Sequence, residues 1–321
     1  MKIVTNVTRL LGIDLPVIQA GMSWASSSAA LPLAVSEAGG LGVIAAGPMY
    51  PDALARTIDE VRAATERPFA VNLPLYRQGA DEVLDLLLER RIPILIASQG
   101  GPRRYLDRFK AAGTICIHVV AGEEHALKAV EAGVDGLVVV GGEAGGHPPV
   151  ELVSTLVVVR AVARAVGDTV PIIASGGFAD GAGLAAALAL GAGAANFGTR
   201  FIATPEANVH PAYKQAVLAA GTTGTRTVGR GLGMIRTLSN TFAERMVALE
   251  TAGASLDERK AVFAAHSLKM AALDGDVAEG KVEAGQSAGL VGDLVPAGEL
   301  VRRIAWEYLQ TVERLPRASL Q

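Results

Sequence analysis

The stretch GGEAGGHPP at residues 141–149 holds the side chains of this chain that are best suited to chemistry. It follows the apolar run LVVV at 137–140 and places four glycines within six residues, whereas a structural turn needs one or two. The surplus indicates that another group approaches this backbone closely. His147 ends the glycine-rich part, where an imidazole can exchange a proton near neutral pH or donate a hydrogen bond to a developing oxyanion. We therefore predict that His147 is catalytic.

A metal site is the rival interpretation of this stretch. Glu143 and His147 are four residues apart, which is the spacing of two ligands on one face of a helix. Gly145 and Gly146 argue against a helix there, and no third ligand is nearby in the sequence. We therefore predict no metal.

The composition of the chain favours a small-molecule partner. Half of the 321 residues are hydrophobic and 19% are charged, so the chain can bury a large core. The formal net charge of −3, from 29 basic and 32 acidic residues, provides no electrostatic footprint for nucleic acid or an anionic membrane. We expect a small-molecule substrate, no nucleic acid and no membrane partner, with a homodimer as the default expectation for the oligomeric state.

The cysteine content and the N-terminal stretch bear on the cellular compartment. The single cysteine, Cys116, cannot form an internal disulfide, and the apolar run TICIHVV around it predicts a buried strand thiol. The start MKIVTNVTRLLGIDLP lacks the basic and apolar regions of a signal peptide, and no run of 18 apolar residues occurs. These features predict a soluble, cytoplasmic protein.

The elements that must position His147 are short apolar runs typical of buried parallel strands. They are PVIQA (16–20), LGVIAA (41–46), FAVNL (69–73), PILIAS (93–98), ICIHVV (115–120), GLVVV (136–140), PIIAS (171–175) and AANFG (194–198). Segments with helical periodicity lie between them, at 51–66, 80–91, 123–133, 151–167 and 180–193. Eight strands alternating with helices predict an α/β fold, a (β/α)8 TIM barrel.

A doubly wound sheet is the competing architecture, because it uses the same alternation of strands and helices. The even spacing of eight units and the lack of an obvious switch point favour the closed barrel. GLGVIA at 40–45 fits the dinucleotide-binding pattern G-x-G-x-x-A, but its glycines precede the strand instead of following it. We therefore expect no dinucleotide site there.

The pattern changes after about residue 205. From there to about 275 the chain is predicted to form helices without intervening strands, at 210–221, 240–253 and 256–273. Helices predicted at 284–290 and 299–315 then complete the barrel. The expected organisation is a barrel over 1–205, a smaller helical lobe over 206–275 inserted before the last barrel helix, and C-terminal helices over 276–321. Such a lobe would cover the strand ends.

The loops at the C-terminal ends of barrel strands are where such barrels place their sites. The residues in these loops are mostly glycine and neutral hydrogen-bonding groups, which suit a planar, polar-edged ligand that carries a phosphate. ASGGFAD after the seventh strand and FGTRF after the eighth place two glycine-rich turns side by side. Their backbone N–H groups predict a phosphate site.

Several motifs, in the same order along nearly the whole chain, resemble the FMN-dependent nitronate monooxygenase family, formerly called 2-nitropropane dioxygenase. That family also contains flavin-dependent enoyl-acyl-carrier-protein reductases and NADH:quinone reductases. The motifs are QAGMSW (19–24), PFAVNLPL (68–75), GGEAGGHP (141–148), IIASGGFADGAGLAAALALGA (172–192), GTRFIATPEANVHPAYK (198–214) and GDVAEGKVEAGQSAGLV (275–291).

The resemblance implies a set of FMN-binding residues. The phosphate would lie on the two glycine-rich turns, and the isoalloxazine ring would lie across the barrel mouth, where a backbone N–H near Ala20 to Met22 donates to it. Glu143 would contact the pyrimidine side of the ring or anchor the glycine loop, and the alternative is a loop carboxylate that caps backbone N–H groups. The implied residues are Ala20, Gly21, Met22, Asn72, Gln99, Glu143, Gly145, Gly146, Ser175, Gly176, Gly177, Gly198 and Thr199.

The resemblance implies a flavin oxidoreductase and leaves its substrate between two classes. The leading expectation is a nitronate monooxygenase, which oxidises alkyl nitronates with dioxygen to a carbonyl compound and nitrite. The alternative is a reductase of enoyl thioesters or quinones, with NAD(P)H as co-substrate. Pro148-Pro149 departs from the Arg-Gly of many nitronate monooxygenases, which leaves the substrate open. A flavin-free phosphate-binding lyase or isomerase is the remote alternative.

Several other polar residues have less defined expectations. His125 and His266 fall within helical patterns and are expected to be surface or packing residues. His210 is expected either to start a helix or to line the site. Gln99 and His118 follow strands and so belong to the rim, whereas Arg236 and Asn240 would face either a ligand or solvent. These residues complete the set of predictions from the sequence.

Overall fold

The computed structural model describes residues 1–316, and its central feature is a sheet of eight parallel strands. The strands are β1 (Val17–Gln19), β2 (Gly42–Ala45), β3 (Phe69–Pro74), β4 (Ile94–Ser98), β5 (Ile115–Val120), β6 (Gly136–Val140), β7 (Ile172–Ser175) and β8 (Ala194–Phe197). Their order in the sheet is β1-β8-β7-β6-β5-β4-β3-β2, so β1 pairs with β8. All eight strands predicted from the apolar runs are present.

The barrel closes between β1 and β2. The two strands share a parallel bridge between Ile18 and Leu41, in which the Gln19 N–H donates to the Leu41 carbonyl over 3.0 Å. The buried Gln19 side chain adds two hydrogen bonds, because its Oε1 accepts from the Val43 N–H at 3.0 Å and its Nε2 donates to the Val43 carbonyl at 3.2 Å. The predicted (β/α)8 TIM barrel is therefore confirmed.

The helices surround the strands and also form the lobe above them. They are α1 (Asn6–Leu11), α2 (Ala30–Glu37), α3 (Pro51–Ala64), α4 (Ala80–Glu89), α5 (Leu106–Ala111), α6 (Glu123–Ala132), α7 (Thr155–Val166), α8 (Gly181–Ala189), α9 (Thr199–Ile202), α10 (Pro211–Ala219), α11 (Thr241–Thr251), α12 (Leu256–Ala265), α13 (Leu268–Ala272) and α14 (Ala297–Arg314). Short 3₁₀ turns lie at Pro102–Arg104 and Gln286–Leu290. None of the helices in residues 1–316 is both long and apolar enough to cross a membrane.

The core has two layers, one inside the barrel and one between strands and helices. In β6, Val138 belongs to the inner cluster, whereas Leu137 and Val139 pack in the outer one. Both faces are buried, which is why the strands appear as continuous apolar runs. Val7 and Leu11 of α1 pack into the inner cluster, and the cavity that carries the site lies at the opposite, C-terminal ends of the strands.

The last helix, α14, returns to the barrel and packs against α8 and α2. The approach to α8 depends on Gly181, because a Cβ there would overlap the backbone of Tyr308. Glu307 also accepts a hydrogen bond from the Gly181 N–H at 2.9 Å. The helix predicted over 299–315 is present, with bounds that differ by one or two residues.

The prediction that 205–275 contains only helices is wrong. An antiparallel hairpin joins β9 (Thr225–Val228) to β10 (Ile235–Leu238). The loop between the strands contains Gly229, Gly231 and Gly233, all at positive φ between 80° and 90°. Glycine adopts this conformation without steric cost, so TRTV and IRTL can turn back on one another.

Two predicted helices are also shorter than expected. The helix predicted at 256–273 is two helices, because Ser267 caps α13 by accepting from the Met270 N–H at 3.2 Å. The helix predicted at 284–290 is only the 3₁₀ turn that starts at Gln286. The division of the chain at 205 and 275 stays a prediction.

Candidate active site

A cavity of about 920 Å³ opens at the C-terminal ends of the barrel strands. Its walls come from the loops after the strands and from the lobe, which contributes Val209, Tyr213 and Leu268. The predicted catalytic residue and every predicted cofactor-binding residue line it: Ala20, Gly21, Met22, Asn72, Gln99, Glu143, Gly145, Gly146, His147, Ser175, Gly176, Gly177, Gly198 and Thr199. The structure thus brings together residues that are far apart in the sequence, while their individual roles stay predictions.

The loops after β7 and β8 form one end of the cavity. Gly176 and Gly177 have φ values of 111° and 80°, which favour glycine. Within residues 1–316, the N–H groups of Gly176, Gly177, Gly198 and Thr199 donate no hydrogen bond to protein. Thr199 is buried and the three glycines are half-buried, and a set of unpaired N–H groups gathered in one place suits an anionic group such as a phosphate.

Three neighbours in the loop after β1 differ in whether their backbone N–H groups are already hydrogen-bonded. The Ala20 N–H donates to the Phe197 carbonyl at 2.9 Å, and the Met22 N–H donates to Ser26 Oγ at 3.0 Å. Among these three neighbours, only the Gly21 N–H is free of a hydrogen bond in the part of the chain that the structure describes. A Cβ at Gly21 would lie 2.5 Å from Asn72 Cβ, so this close approach requires glycine. Of the three backbone N–H groups predicted to donate to a ring, that of Gly21 is therefore the one still able to do so.

The glycines of the β6 loop have reasons inside the protein. A Cβ at Gly145 would lie 2.5 Å from the carbonyl carbon of Ala284, because the segment before the 3₁₀ turn crosses the loop there. Gly146 has a φ of 66° and forms an antiparallel bridge with Arg236. Gly145 therefore leaves room for the chain at Ala284, and Gly146 permits a tight turn. Both reasons hold whether or not a ligand binds beside the loop.

Glu143 is anchored to the start of α7. Its Oε2 accepts from the Thr155 N–H at 2.8 Å and from Thr155 Oγ1 at 2.7 Å. Arg236 of β10 also holds the β6 loop, because its Nη2 donates to the Gly142 carbonyl at 2.7 Å. Of the two expectations for Glu143, the structure contains the capping one, and a contact to a ring stays a prediction.

His147 lies at the accessible edge of the cavity, at the end of the anchored loop. Desolvation by the surrounding loops lowers the pKa of its imidazole, and the Lys281 ammonium lowers that pKa further. The neutral form therefore predominates at pH 7. A neutral imidazole can accept a proton at one nitrogen and donate a hydrogen bond from the other.

Comparison with known proteins agrees with this architecture. The family model for nitronate monooxygenase matches residues 5–83 and 75–307. The chain belongs to the nitronate monooxygenase family. Its relatives are oxidoreductases, and so is this protein. The resemblance carried by the sequence motifs is confirmed.

Three similar proteins illustrate the range of this family. The structure of FabK from Thermotoga maritima has a TM-score of 0.91 and 39% sequence identity, covering 98% of both chains. A relative from Mycobacterium tuberculosis is 33% identical over 98% of this chain and 99% of its own length. It is named (3aS,4S,5R,7aS)-5-hydroxy-7a-methyl-1-oxo-octahydro-1H-indene-4-carboxyl-CoA dehydrogenase. A nitronate monooxygenase from Paraburkholderia phytofirmans is 32% identical over 95% of both chains.

Glu283 also lines the cavity, although the sequence analysis did not predict it as a site residue. Its side chain is reached from the cavity and is otherwise surrounded by protein. Burial raises the pKa of its carboxyl to about 7, although the Lys281 ammonium opposes the shift. Tyr213 anchors the segment, because its hydroxyl donates to the Glu283 carbonyl at 2.7 Å. GKVEAGQ carries the residue, but nothing in that stretch reveals which groups surround it.

His118 and His125 also line the cavity. The Tyr105 hydroxyl lies 3.0 Å from His118 Nδ1, and burial lowers the pKa of the His118 imidazole. Tyr105 and His118 are both buried, and His118 contacts the backbone of Gly100, which follows Gln99. His125 is an exposed residue of α6 at the mouth, as expected for a surface residue.

The remaining polar candidates do not line the cavity. His210 starts α10, where its Nδ1 accepts from the Ala212 N–H at 3.1 Å. Asn240 is half-buried and caps α11, whereas Arg236 is buried against the β6 loop and faces neither the cavity nor solvent. His266 packs on Phe242 in the lobe, as predicted. Residues 1–316 contain no group of three His, Cys, Asp or Glu side chains placed to hold a metal.

Proposed function

We propose that this protein is an FMN-dependent reductase that transfers a hydride from NAD(P)H to the double bond of an enoyl thioester. The size of the cavity is the observation that carries the proposal. Its volume of about 920 Å³ is near the upper end of the range for ligand pockets, roughly 300–1,000 Å³. Such a cavity has room for a cofactor and a substrate larger than a nitroalkane.

The free N–H groups support a position for the cofactor. Those of Gly176, Gly177, Gly198 and Thr199 would bind the FMN phosphate, and the Gly21 N–H would face the ring. When bound, FMN supplies hydride exchange between a nicotinamide and a carbon atom. The protein's contribution is to bind and orient the reactants in the cavity.

His147 acts on the substrate in this proposal. Hydride addition to the β-carbon of an enoyl thioester places negative charge on the carbonyl oxygen, and a proton then completes the α-carbon. The neutral His147 imidazole is suited to donate a hydrogen bond to that oxygen, because its lowered pKa keeps it uncharged. Both additions together convert the double bond to a single bond.

The charge of Glu283 supports a thioester substrate over a nitronate. With a pKa of about 7, its carboxyl is ionised in a substantial fraction of molecules at neutral pH. An anionic nitronate in the same cavity would be repelled by that charge, whereas a neutral thioester would not. The similarity to FabK, an enoyl-acyl-carrier-protein reductase, and to a dehydrogenase of a CoA thioester supports the same choice.

Nitronate oxidation is the second candidate function. It is favoured by Lys281, whose ammonium is close enough to His147 to lower the pKa of the imidazole. A positive charge beside His147 would attract an anionic nitronate. The 32% identical nitronate monooxygenase from Paraburkholderia phytofirmans supports this candidate.

Anaerobic mixing of the FMN-loaded protein with NADH, NADPH or propane-2-nitronate separates the two functions. We expect a nicotinamide to bleach the flavin absorbance, and crotonyl-CoA added afterwards to restore it with formation of butyryl-CoA. Bleaching by the nitronate alone, together with nitrite release in air, would support nitronate oxidation instead. A colourless protein that rejects added FMN would refute both candidates.

A further inference from the structure

The Glu283 carboxylate lies beside the loop of His147, and it neither caps a helix nor pairs with a charged side chain among the described residues. Its Oε2 lies 3.1 Å from the point that a Cβ at Gly146 would occupy, so it sits beside the loop that carries His147. Within residues 1–316 the carboxylate makes no hydrogen bond to protein. Its oxygens are reached from the cavity, so a ligand bound there can form a hydrogen bond with them.

Lys281 is the nearest candidate for an internal partner, but it does not pair with Glu283. Its Nζ lies 3.5 Å from the centre of the Phe263 ring and 5.8 Å from that of Phe242. No ion pair within 4.0 Å joins Lys281 to Glu283 in the described residues. The ammonium is therefore held on the aromatic rings by a cation–π contact.

The charged and titratable groups around Glu283 come from four places. Lys281 lies on its own segment, His147 on the β6 loop and Tyr213 on α10. Burial raises the pKa of the Tyr213 hydroxyl well above its usual value, so it stays neutral. Arg236 of β10 points to the Gly142 carbonyl instead. Glu283 is thus the acidic group of this wall that can change charge near neutral pH.

We propose that Glu283 sets the charge preference of the cavity. In its acid form it donates a hydrogen bond to the carbonyl oxygen of the substrate, and in its ionised form it excludes anionic ligands. The substrate class rests on the thioester function proposed above. The test measures binding and not turnover, so its result does not depend on whether the reductase activity is found.

Hexanoate and hexanamide provide matched probes, because they have the same chain and differ in charge above pH 5.5. Calorimetric titration of the FMN-loaded protein from pH 5.5 to 8.5 measures the affinity for each. We expect hexanoate affinity to fall about tenfold per pH unit above pH 7, since it binds only the acid form of Glu283. Hexanamide affinity should change far less, because the amide does not carry the repelled charge.

Three variants test the assignment to Glu283. Glu283→Gln should remove the fall in hexanoate affinity, whereas Glu151→Gln, which changes an exposed carboxylate at the cavity mouth, should leave it in place. Lys281→Met should move the fall to higher pH, because the ammonium lowers the pKa of Glu283. This variant keeps the test decisive if Glu283→Gln does not fold.

Two results would overturn the proposal. One is a hexanoate profile that is the same in the unaltered protein and in Glu283→Gln, or that Lys281→Met leaves in place. The other is failure of hexanamide to bind at any pH, since the acid form of Glu283 is expected to hold a neutral carbonyl group.

Discussion

Replacing Glu143 with alanine separates the two roles predicted for this side chain. The carboxylate holds the start of α7 through the Thr155 N–H at 2.8 Å and Thr155 Oγ1 at 2.7 Å. Hydrogen bonds to charged groups contribute about 1.5–3 kcal/mol, and loss of a helix cap costs about 0.5–2 kcal/mol. Because Glu143 is partly accessible, water can replace part of the contact. We therefore expect the substitution to lower the free energy of unfolding by about 2 kcal/mol.

Urea unfolding of the FMN-free protein measures this loss, and titration with FMN measures the other role. If Glu143 only caps α7, the FMN dissociation constant of the folded variant should change less than threefold. A double-mutant cycle with Thr155→Val should give a coupling energy of about 1 kcal/mol between the two side chains. Unchanged stability combined with a tenfold or greater loss of FMN affinity would refute the capping role and assign Glu143 to the ring.

Three further predictions concern the cavity and the core. His147→Ala should leave FMN bound while lowering kcat roughly 100-fold, and undiminished turnover would remove His147 from the mechanism. Gly176→Ala should weaken FMN binding roughly tenfold, because φ is 111° there and a Cβ would lie 2.7 Å from Thr155 Oγ1. Gly292→Ala, where a Cβ meets open space, is its control and should not change FMN binding. Burial raises the pKa of the Cys116 thiol to about 12, so a thiol reagent at pH 8 should label it only after unfolding, and rapid labelling of the native protein would contradict this.

The barrel could be predicted because its strands are buried on both faces. A run such as GLVVV at 136–140 must hide every side chain, and the structure places Val138 inside the barrel with its neighbours outside. The hairpin in the lobe gave a weaker signal, since β9 contains an exposed arginine, Arg226, between buried ends. The three glycines of its loop are the sequence feature that indicates a turn, but the helical periodicity on either side favours helices.

The predicted site residues gather in one cavity because each lies at the end of a strand, where barrel topology determines their place. Glu283 follows no barrel strand, so no periodicity identified it. Its environment depends on Gly146 and Tyr213, which are distant in the sequence and meet it only after the lobe has folded over the barrel. A carboxyl group acquires an altered pKa from such neighbours, and their positions cannot be deduced from local sequence.

The segment around Glu283 also links the two ends of the cavity. The Gly285 N–H donates to Thr199 Oγ1 at 2.8 Å, next to the N–H groups suited to a phosphate. Two residues earlier, Glu283 borders the loop of His147, and Ala284 between them crosses Gly145 so closely that only glycine fits. Glu283, Ala284 and Gly285 therefore contact both ends of the cavity. This arrangement explains why the motif after residue 280 belongs to the site although it lies outside the barrel strands.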